Sequence, residues 1–238
     1  MALAFTNLLN EGDTNPEDPN TTAGSITTVA GRLYLATVQI TASSPPTLSS
    51  ITLPGSENMT IHDHVLRSVT YRLYFCYLVA ATGGTSTVSL DFSGLPSGLV
   101  TILDEVTGQA SSSPVVTSNY VEASGTTNPV SVTLPNALAD ANNAIYAGFA
   151  RDANTAFTPG TDYTELGDAG HTAPTRRAAS EYDVAPGDLV ADGDFAASGN
   201  WDGFGVEIAV AAGAPAETLH RRRKIMATQR TAPRATYA

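Results

Sequence analysis

Residues 69–80, Val-Thr-Tyr-Arg-Leu-Tyr-Phe-Cys-Tyr-Leu-Val-Ala, are the most apolar run of a 238-residue chain. Twelve residues are too few to cross a bilayer as a helix, which needs about twenty. The aromatic and branched content is that of a strand. Alternation puts Tyr71, Leu73, Phe75, Tyr77 and Val79 on one face and Tyr74, Cys76, Leu78 and Ala80 on the other. A strand with two apolar faces needs cover on both sides. The sequence offers two candidates for the second cover, the chain's own segment 56–68 or another subunit.

The rest of the chain reads as short strands separated by turn residues. Ordinary half-buried strands are expected at 85–92 and 130–134, where Val88, Leu90 and Phe92, then Val130, Val132 and Leu134, alternate with polar residues. Further strands are expected at 25–30, 32–42, 47–53, 99–107, 115–122, 144–151, 163–170, 175–184, 188–197 and 201–211. Residues 56–68 read as a loop with a short turn of helix, and 135–143 as the one helical turn. No fixed-period repeat is visible. The pattern predicts an all-β fold, an antiparallel β-sandwich or jelly roll of about twelve strands, with extended arms at both ends. The expected organisation is an N-terminal arm and acidic loop at 1–24, a sandwich domain at 25–212 and a basic C-terminal arm at 213–238.

Charge divides the chain unevenly. Only 15% of residues are charged and the net charge is −11. Residues 211–238 hold six of the twelve basic residues (Arg221, Arg222, Arg223, Lys224, Arg230, Arg234) against one acid, Glu217, a net of +5 that leaves −16 on residues 1–210. Such a split marks an interaction arm. The acidic body repels phosphates, so nucleic acid is not the expected partner. The six basic residues are expected instead to dock on an acidic protein surface, such as that of a neighbouring copy. The start lacks the basic region and long apolar core of a secretory signal, and no run is long enough for a membrane helix, so synthesis in a cytoplasm without membrane insertion is expected.

Candidate chemistry is sparse. Cys76 is the sole cysteine, which leaves no internal disulfide, and its mid-strand position reads as a small buried hydrophobe. No nucleophile elbow is present. His62 and His64 would place two imidazoles on one side of a strand, but two ligands are not a site. Asp188, Asp192 and Asp194 lack the pattern of a calcium loop and read as a turn or wet strand face. Asp104 with Glu105, and Glu165 with Asp168, are neighbouring acids whose pairing for glycoside hydrolysis only geometry can decide. Trp201, Tyr120 and Tyr163 are the candidate aromatics for stacking a glycan, with core placement the simpler reading of Trp201. Asn20-Thr-Thr and Asn58-Met-Thr match glycosylation acceptors, which carry no weight in a chain without a signal peptide. No catalytic residue, metal or cofactor is expected.

Several segments resemble tailed-phage virion proteins, the capsid-attached and tail-attached β-sandwich modules. They are Met1-Ala-Leu-Ala-Phe5, Ala30-Gly-Arg-Leu-Tyr-Leu-Ala36, Val88-Ser-Leu-Asp-Phe92 and Val106-Thr-Gly108, then Phe157-Thr-Pro-Gly-Thr-Asp-Tyr-Thr-Glu-Leu-Gly167 and Trp201-Asp-Gly-Phe-Gly-Val-Glu-Ile208. The likeness covers residues 1–210 and not the basic tail. It implies a non-enzymatic virion structural protein of a tailed virus, an accessory, decoration or fibre component attached to major capsid or tail proteins through its arms. Apolar faces at 32–42 and 69–80 would leave surface for neighbouring copies, and a homo-oligomer, a trimer by preference, is expected. The alternative is a carbohydrate- or host-surface-binding module, with a polysaccharide depolymerase a more distant third.

Overall fold

In the computed structural model, which describes residues 2–65, 70–184 and 186–212, strands account for all the regular structure. The first half holds β1 (Ala4–Asp13), β2 (Asn20–Thr21), β3 (Ile26–Thr28), β4 (Leu33–Thr41), β5 (Leu48–Leu53), β6 (Glu57–Asn58), β7 (Thr60–Val65), β8 (Tyr71–Val79), β9 (Gly84–Ser86), β10 (Ser89–Phe92) and β11 (Gly98–Thr107). The second half holds β12 (Val115–Gly125), β13 (Val130–Thr133), β14 (Ala144–Arg151), β15 (Phe157–Pro159), β16 (Thr164–Thr172), β17 (Thr175–Val184), β18 (Val190–Phe195) and β19 (Trp201–Ile208). All pairings are antiparallel.

Each half builds a large sheet and a small one. The large sheets run β1-β11-β4-β8-β7 and β12-β19-β14-β17-β16; the small ones run β2-β10-β5-β6 and β13-β18-β15. Count β6 and β7 as one strand that passes from the small sheet to the large one, and leave out the side pair β3-β9. Both halves then share one order, 1-8-3-6-5 in the large sheet and 2-7-4 in the small. This repetition is invisible in the sequence because it is a repetition of connections, not of residues.

The layers stack small, large, large, small. One apolar cluster, with Tyr34, Val38, Ile40, Tyr74 and Cys76, fills the first sandwich against Leu48, Ile51, Val88 and Leu90. Another, with Ile145, Ala147 and Phe149, fills the second against Val130, Val132 and Phe195. The third joins the halves: Leu33, Leu35, Leu73, Phe75 and Ile102 of one large sheet meet Tyr146, Phe204, Val206 and Ile208 of the other. Every residue of β4, β14 and β19 is buried as a result. At about 1.5–3 kcal/mol for each large apolar side chain, the seam between the halves is an integral part of the core. The halves meet with two-fold character: β1 lies over β16 and β7 over β12, while β11 reaches β17 and β8 reaches β19. At the β1–β16 crossing the backbones touch. A Cβ on Gly12 would fall 2.2 Å from the carbonyl oxygen of Gly170.

This arrangement answers the question posed by residues 69–80. Tyr74, Cys76 and Leu78 face the small sheet of their own half, and Leu73, Phe75 and Tyr77 face the chain's second half. Strands β4 and β8 therefore leave no apolar face for a neighbouring copy. The large exposed hydrophobics of the described residues are Val29, Leu95 and Val184, single positions far apart in sequence.

Three further expectations differ from the structure. Most of 1–24 is not an arm: Ala4–Asp13 pairs along its length with β11, and Leu3 and Leu9 enter the core. Of residues 56–68, Glu57–Asn58 and Thr60–Val65 are strands rather than a loop with a helical turn, and 66–68 lie outside the described residues. Residues 135–143 form turns, because buried Glu207 takes the amide of Ala139 (2.7 Å) and the side chains of Asn119 (2.7 Å) and Asn143 (2.5 Å). That carboxylate anchors the loop, and Asp140 turns it locally by accepting the Asn142 amide and side chain, both at 2.8 Å.

Candidate functional site

The most distinctive concavity lies at one end of the second sandwich, where the β15–β16 turn, the end of β17 and the start of β18 converge. Its walls are Thr161, Asp162, Tyr163, Asp183, Gly187, Asp188, Val190 and Asp192, around a cavity of about 310 Å³. Local geometry accounts for each wall. The turn closes with the Tyr163 amide donating to the Gly160 carbonyl (3.2 Å), and Asp162 adopts a left-handed backbone, φ 71°. Gly160 is required: a Cβ there would fall 1.8 Å from Asp192 Oδ1. Asp188 Oδ1 accepts the Val190 amide at 2.9 Å, an Asx turn that leads into β18. Asp183 is the penultimate residue of β17.

Four carboxylates therefore surround a cavity whose lining includes no Lys, Arg or His. The Tyr163 side chain, 9% exposed, has no hydrogen-bond partner for its hydroxyl. Burial raises the pKa of that phenol, and the fields of Glu181, Asp183, Asp188 and Asp192 raise it further. Glu181, two residues before Asp183 on β17, is fully buried, and neither of its oxygens forms a hydrogen bond of normal geometry. Burial pushes its carboxyl up to about 9, with Asp192 and Glu165 adding repulsion and the Gly160 backbone pulling the other way. Asp183 is also raised, first by burial and then by Asp162 and Asp188. The arrangement is a concentration of negative potential with unsatisfied oxygen atoms behind it, suited to a cation. Among the described residues no three acidic, histidine or cysteine side chains converge closely enough to hold a metal ion.

Asp188 and Asp192 come together here, whereas Asp194 points elsewhere and bonds to Asn128. Tyr163 forms a pocket wall. Trp201, 5% exposed, packs against Phe149 in the core of the second sandwich. Tyr120 stacks on Phe75 and Phe204 and meets His62 edge-on at 4.6 Å. Tyr120 packs at the seam between the halves, and Trp201 and Tyr163 in the core of the second sandwich. The side chain of His64 lies outside the described residues, as does the whole basic arm with Arg221, Arg222, Arg223, Lys224, Arg230 and Arg234.

Three of the four paired carboxylates, Asp104, Glu105 and Asp168, are engaged by neighbouring side chains. Asp104 is buried at the seam between the halves, where it accepts Asn7 Nδ2 (2.9 Å), Tyr146 OH (2.9 Å) and Ser180 Oγ (2.8 Å). Burial raises its pKa to about 6 against the pull of these three donors. Glu105 points to the opposite face, paired with Arg32 (2.5 Å) and Tyr34 OH (2.9 Å). Arg177 grips Asp168 side-on through Nε and Nη2, and Glu165 is raised by burial and by Asp168 against the pull of the same Arg177 charge. Cys76 is fully buried, and that burial raises its thiol pKa far above the usual range. A second cavity, also about 310 Å³, lies at the other end of β17, lined by Thr41, Ser43, Thr70, Ser97 and Arg176 among others. There Arg176 is already engaged over the Tyr71 ring and with Thr70 Oγ1 (3.0 Å).

Sequence reasoning missed Asp162, Asp183 and Glu181. They share no motif spacing with Asp188 and Asp192, and only the return of β17 beside β18's loop assembles them. Comparison with protein-family models, curated proteins and solved structures finds no match.

Proposed function

We propose that this chain is a non-enzymatic building block of a virus particle, an accessory, decoration or fibre component of a tailed virus attached through its basic arm. The observation that carries the reading is the strand order found twice over, 1-8-3-6-5 above 2-7-4. We read each half as a jelly roll whose fifth strand has moved to the large sheet. Jelly rolls recur in viral capsid and lectin domains. Fold alone does not assign function. The choice of the first role over the second is supported by the segment-by-segment likeness to phage virion modules and by the burial of Trp201 and Tyr163, which denies a glycan their faces.

The homo-oligomer, a trimer by preference, stays a proposal, with its contacts placed elsewhere on the surface. Its apolar faces at 32–42 and 69–80 are filled by the chain's own sheets, so no trimer built on them is proposed. Copies instead meet a particle through polar surface and the arm, gaining affinity by multivalency. Immunogold labelling of particles from the producing cells, with antibody raised against this chain, tests the reading. Gold at regular positions on heads or tails supports it. Gold confined to soluble material and host debris defeats it.

A further inference from the structure

At the end of the seam away from the acidic pocket, the tip of the β16–β17 hairpin reaches across to the first half. Thr172 and Thr175 close the tip, with Thr175 Oγ1 donating to the Thr172 carbonyl (3.3 Å). We infer that this tip is an acid-released latch between the two halves, with the His171 imidazole as its trigger.

Three features of the geometry carry this. First, the imidazole crosses the seam. It lies so close against Gly98, the first residue of β11, that a Cβ at that position would fall 2.8 Å from Nε2 and 2.9 Å from Nδ1. Second, the ring is sealed: His171 is 2% exposed, and neither nitrogen forms a hydrogen bond of normal geometry. A neutral imidazole tolerates that setting. An imidazolium brings a charge and a second N–H donor into it, at far greater cost. Third, the tip borders open space. The cavity of about 310 Å³ is walled by Pro174 and Arg176 on the hairpin side and by Thr41, Ser43 and Ser97 of the first half. The hairpin's charged hold on that half is Arg176, which donates to Thr70 Oγ1 (3.0 Å) and lies over the Tyr71 ring.

Charge around the ring sets the direction. Arg176, its partner across the hairpin on β17, faces it with a like charge, and Asp13 on β1 with an opposite one. Gly98 on β11 and Thr41, its pair on β4, carry none. Burial lowers the imidazole pKa below the ordinary 6.5; the Pro174 backbone pulls it back, Arg176 adds to the fall and Asp13 opposes it. A base held below its ordinary value stabilises the closed latch above about pH 6.5, and that stability is lost as pH falls from there toward the lowered value. Protonation therefore favours the lifted tip, where water solvates the imidazolium. Asp104, elsewhere on the seam, titrates with the opposite sign, because burial raises it. Acid thus loosens one corner of the seam and not its whole length. The inference does not depend on the virion reading.

Hydrogen exchange of the full-length protein, read by mass spectrometry near pH 7.5 and near pH 5 and corrected for the intrinsic effect of pH, tests the latch. Lifting the tip frays the pairing of Arg177 on β17 with Arg151 on β14, so peptides covering residues 170–177 report it. With the open-state imidazole at its ordinary value, the opening constant rises about tenfold per pH unit below 6.5. These peptides should therefore lose about tenfold or more of their protection at the lower pH. His171→Phe keeps a flat ring on Gly98 and removes the titration, so its protection should change by less than about twofold. Unchanged protection of 170–177 in the wild type, or the same loss in the variant, would overturn the inference. Should the variant not fold, an NMR titration of the wild type decides alone: the His171 ring should titrate below 6.5, together with the amides of Thr172 and Thr175. A midpoint at or above that value, or one that leaves those amides unmoved, would contradict the latch.

Discussion

Replacing Glu181 with methionine removes a buried carboxyl that no hydrogen bond satisfies, while keeping an unbranched side chain of similar length. In the folded chain this carboxyl titrates near 9 against an ordinary value of 4.5, burial being the main cause. The fold holds the proton that the unfolded chain releases. A raised carboxyl pKa makes stability fall as pH rises between those two values, by about 1.4 kcal/mol per pH unit. Below about pH 4.5 the group costs nothing by this route; at pH 7 it costs roughly 3 kcal/mol, and at pH 8 nearer 5. Glu181→Met abolishes the penalty, so the variant should gain on the wild type as pH rises from 5 to 8. Asp104, raised to about 6, contributes a slope of the same sign at lower pH, but in both proteins, and it cancels in the comparison. Urea unfolding at pH 5, 6, 7 and 8, followed by the fluorescence of the sole tryptophan, Trp201, measures the difference directly. A gap between variant and wild type that stays constant across that range would refute the assignment of a buried, unsatisfied carboxyl to the second sandwich.

Gly12→Ala should destabilise the fold by about 2 kcal/mol or more, because the new methyl would meet the Gly170 backbone where the halves touch; a thermal midpoint within a degree of wild type would contradict that contact. Phe75→Ala should cost about 3–5 kcal/mol in chemical denaturation, since its ring packs against Phe204 and Tyr120 across the seam. Cys76 should resist a thiol reagent in the native protein and react fully only in denaturant; a fast native reaction would place it at the surface. Replacing Arg221, Arg222, Arg223 and Lys224 with glutamine should leave the chain folded while incorporation into particles falls; full occupancy by the variant would remove the arm from the attachment.

Most of the sheet content is legible in the sequence, because burial on one or two faces leaves a period-two record. Val88, Leu90 and Phe92 give it on one face, and residues 71–79 give it on both. The segment 57–65 escapes because β7 lies at a sheet edge, where a polar residue such as His62 is tolerated. Residues 135–143 mislead for another reason: Ala and Leu there favour a helix locally, but Glu207, more than sixty residues on, claims the loop's donors. Nothing local tells whether the second face of 69–80 is covered by another subunit or by the chain's own small sheet. That depends on the doubling of the fold, whose halves share connections without sharing motifs. The acidic pocket is hidden for the same reason, since its carboxylates are gathered from two loops and two strands. The basic arm is the reverse case, plain in the sequence at 221–234.

The account stands on this chain being a regular component of a particle. Particles purified from the producing cells through a density gradient, then quantified by mass spectrometry against isotope-labelled peptides of this chain and of the major coat protein, measure that most directly. The account predicts a fixed ratio between the two across the particle peak, unchanged between preparations and corresponding to many copies per particle. A chain that is absent from the peak, or whose ratio drifts from fraction to fraction, would contradict it.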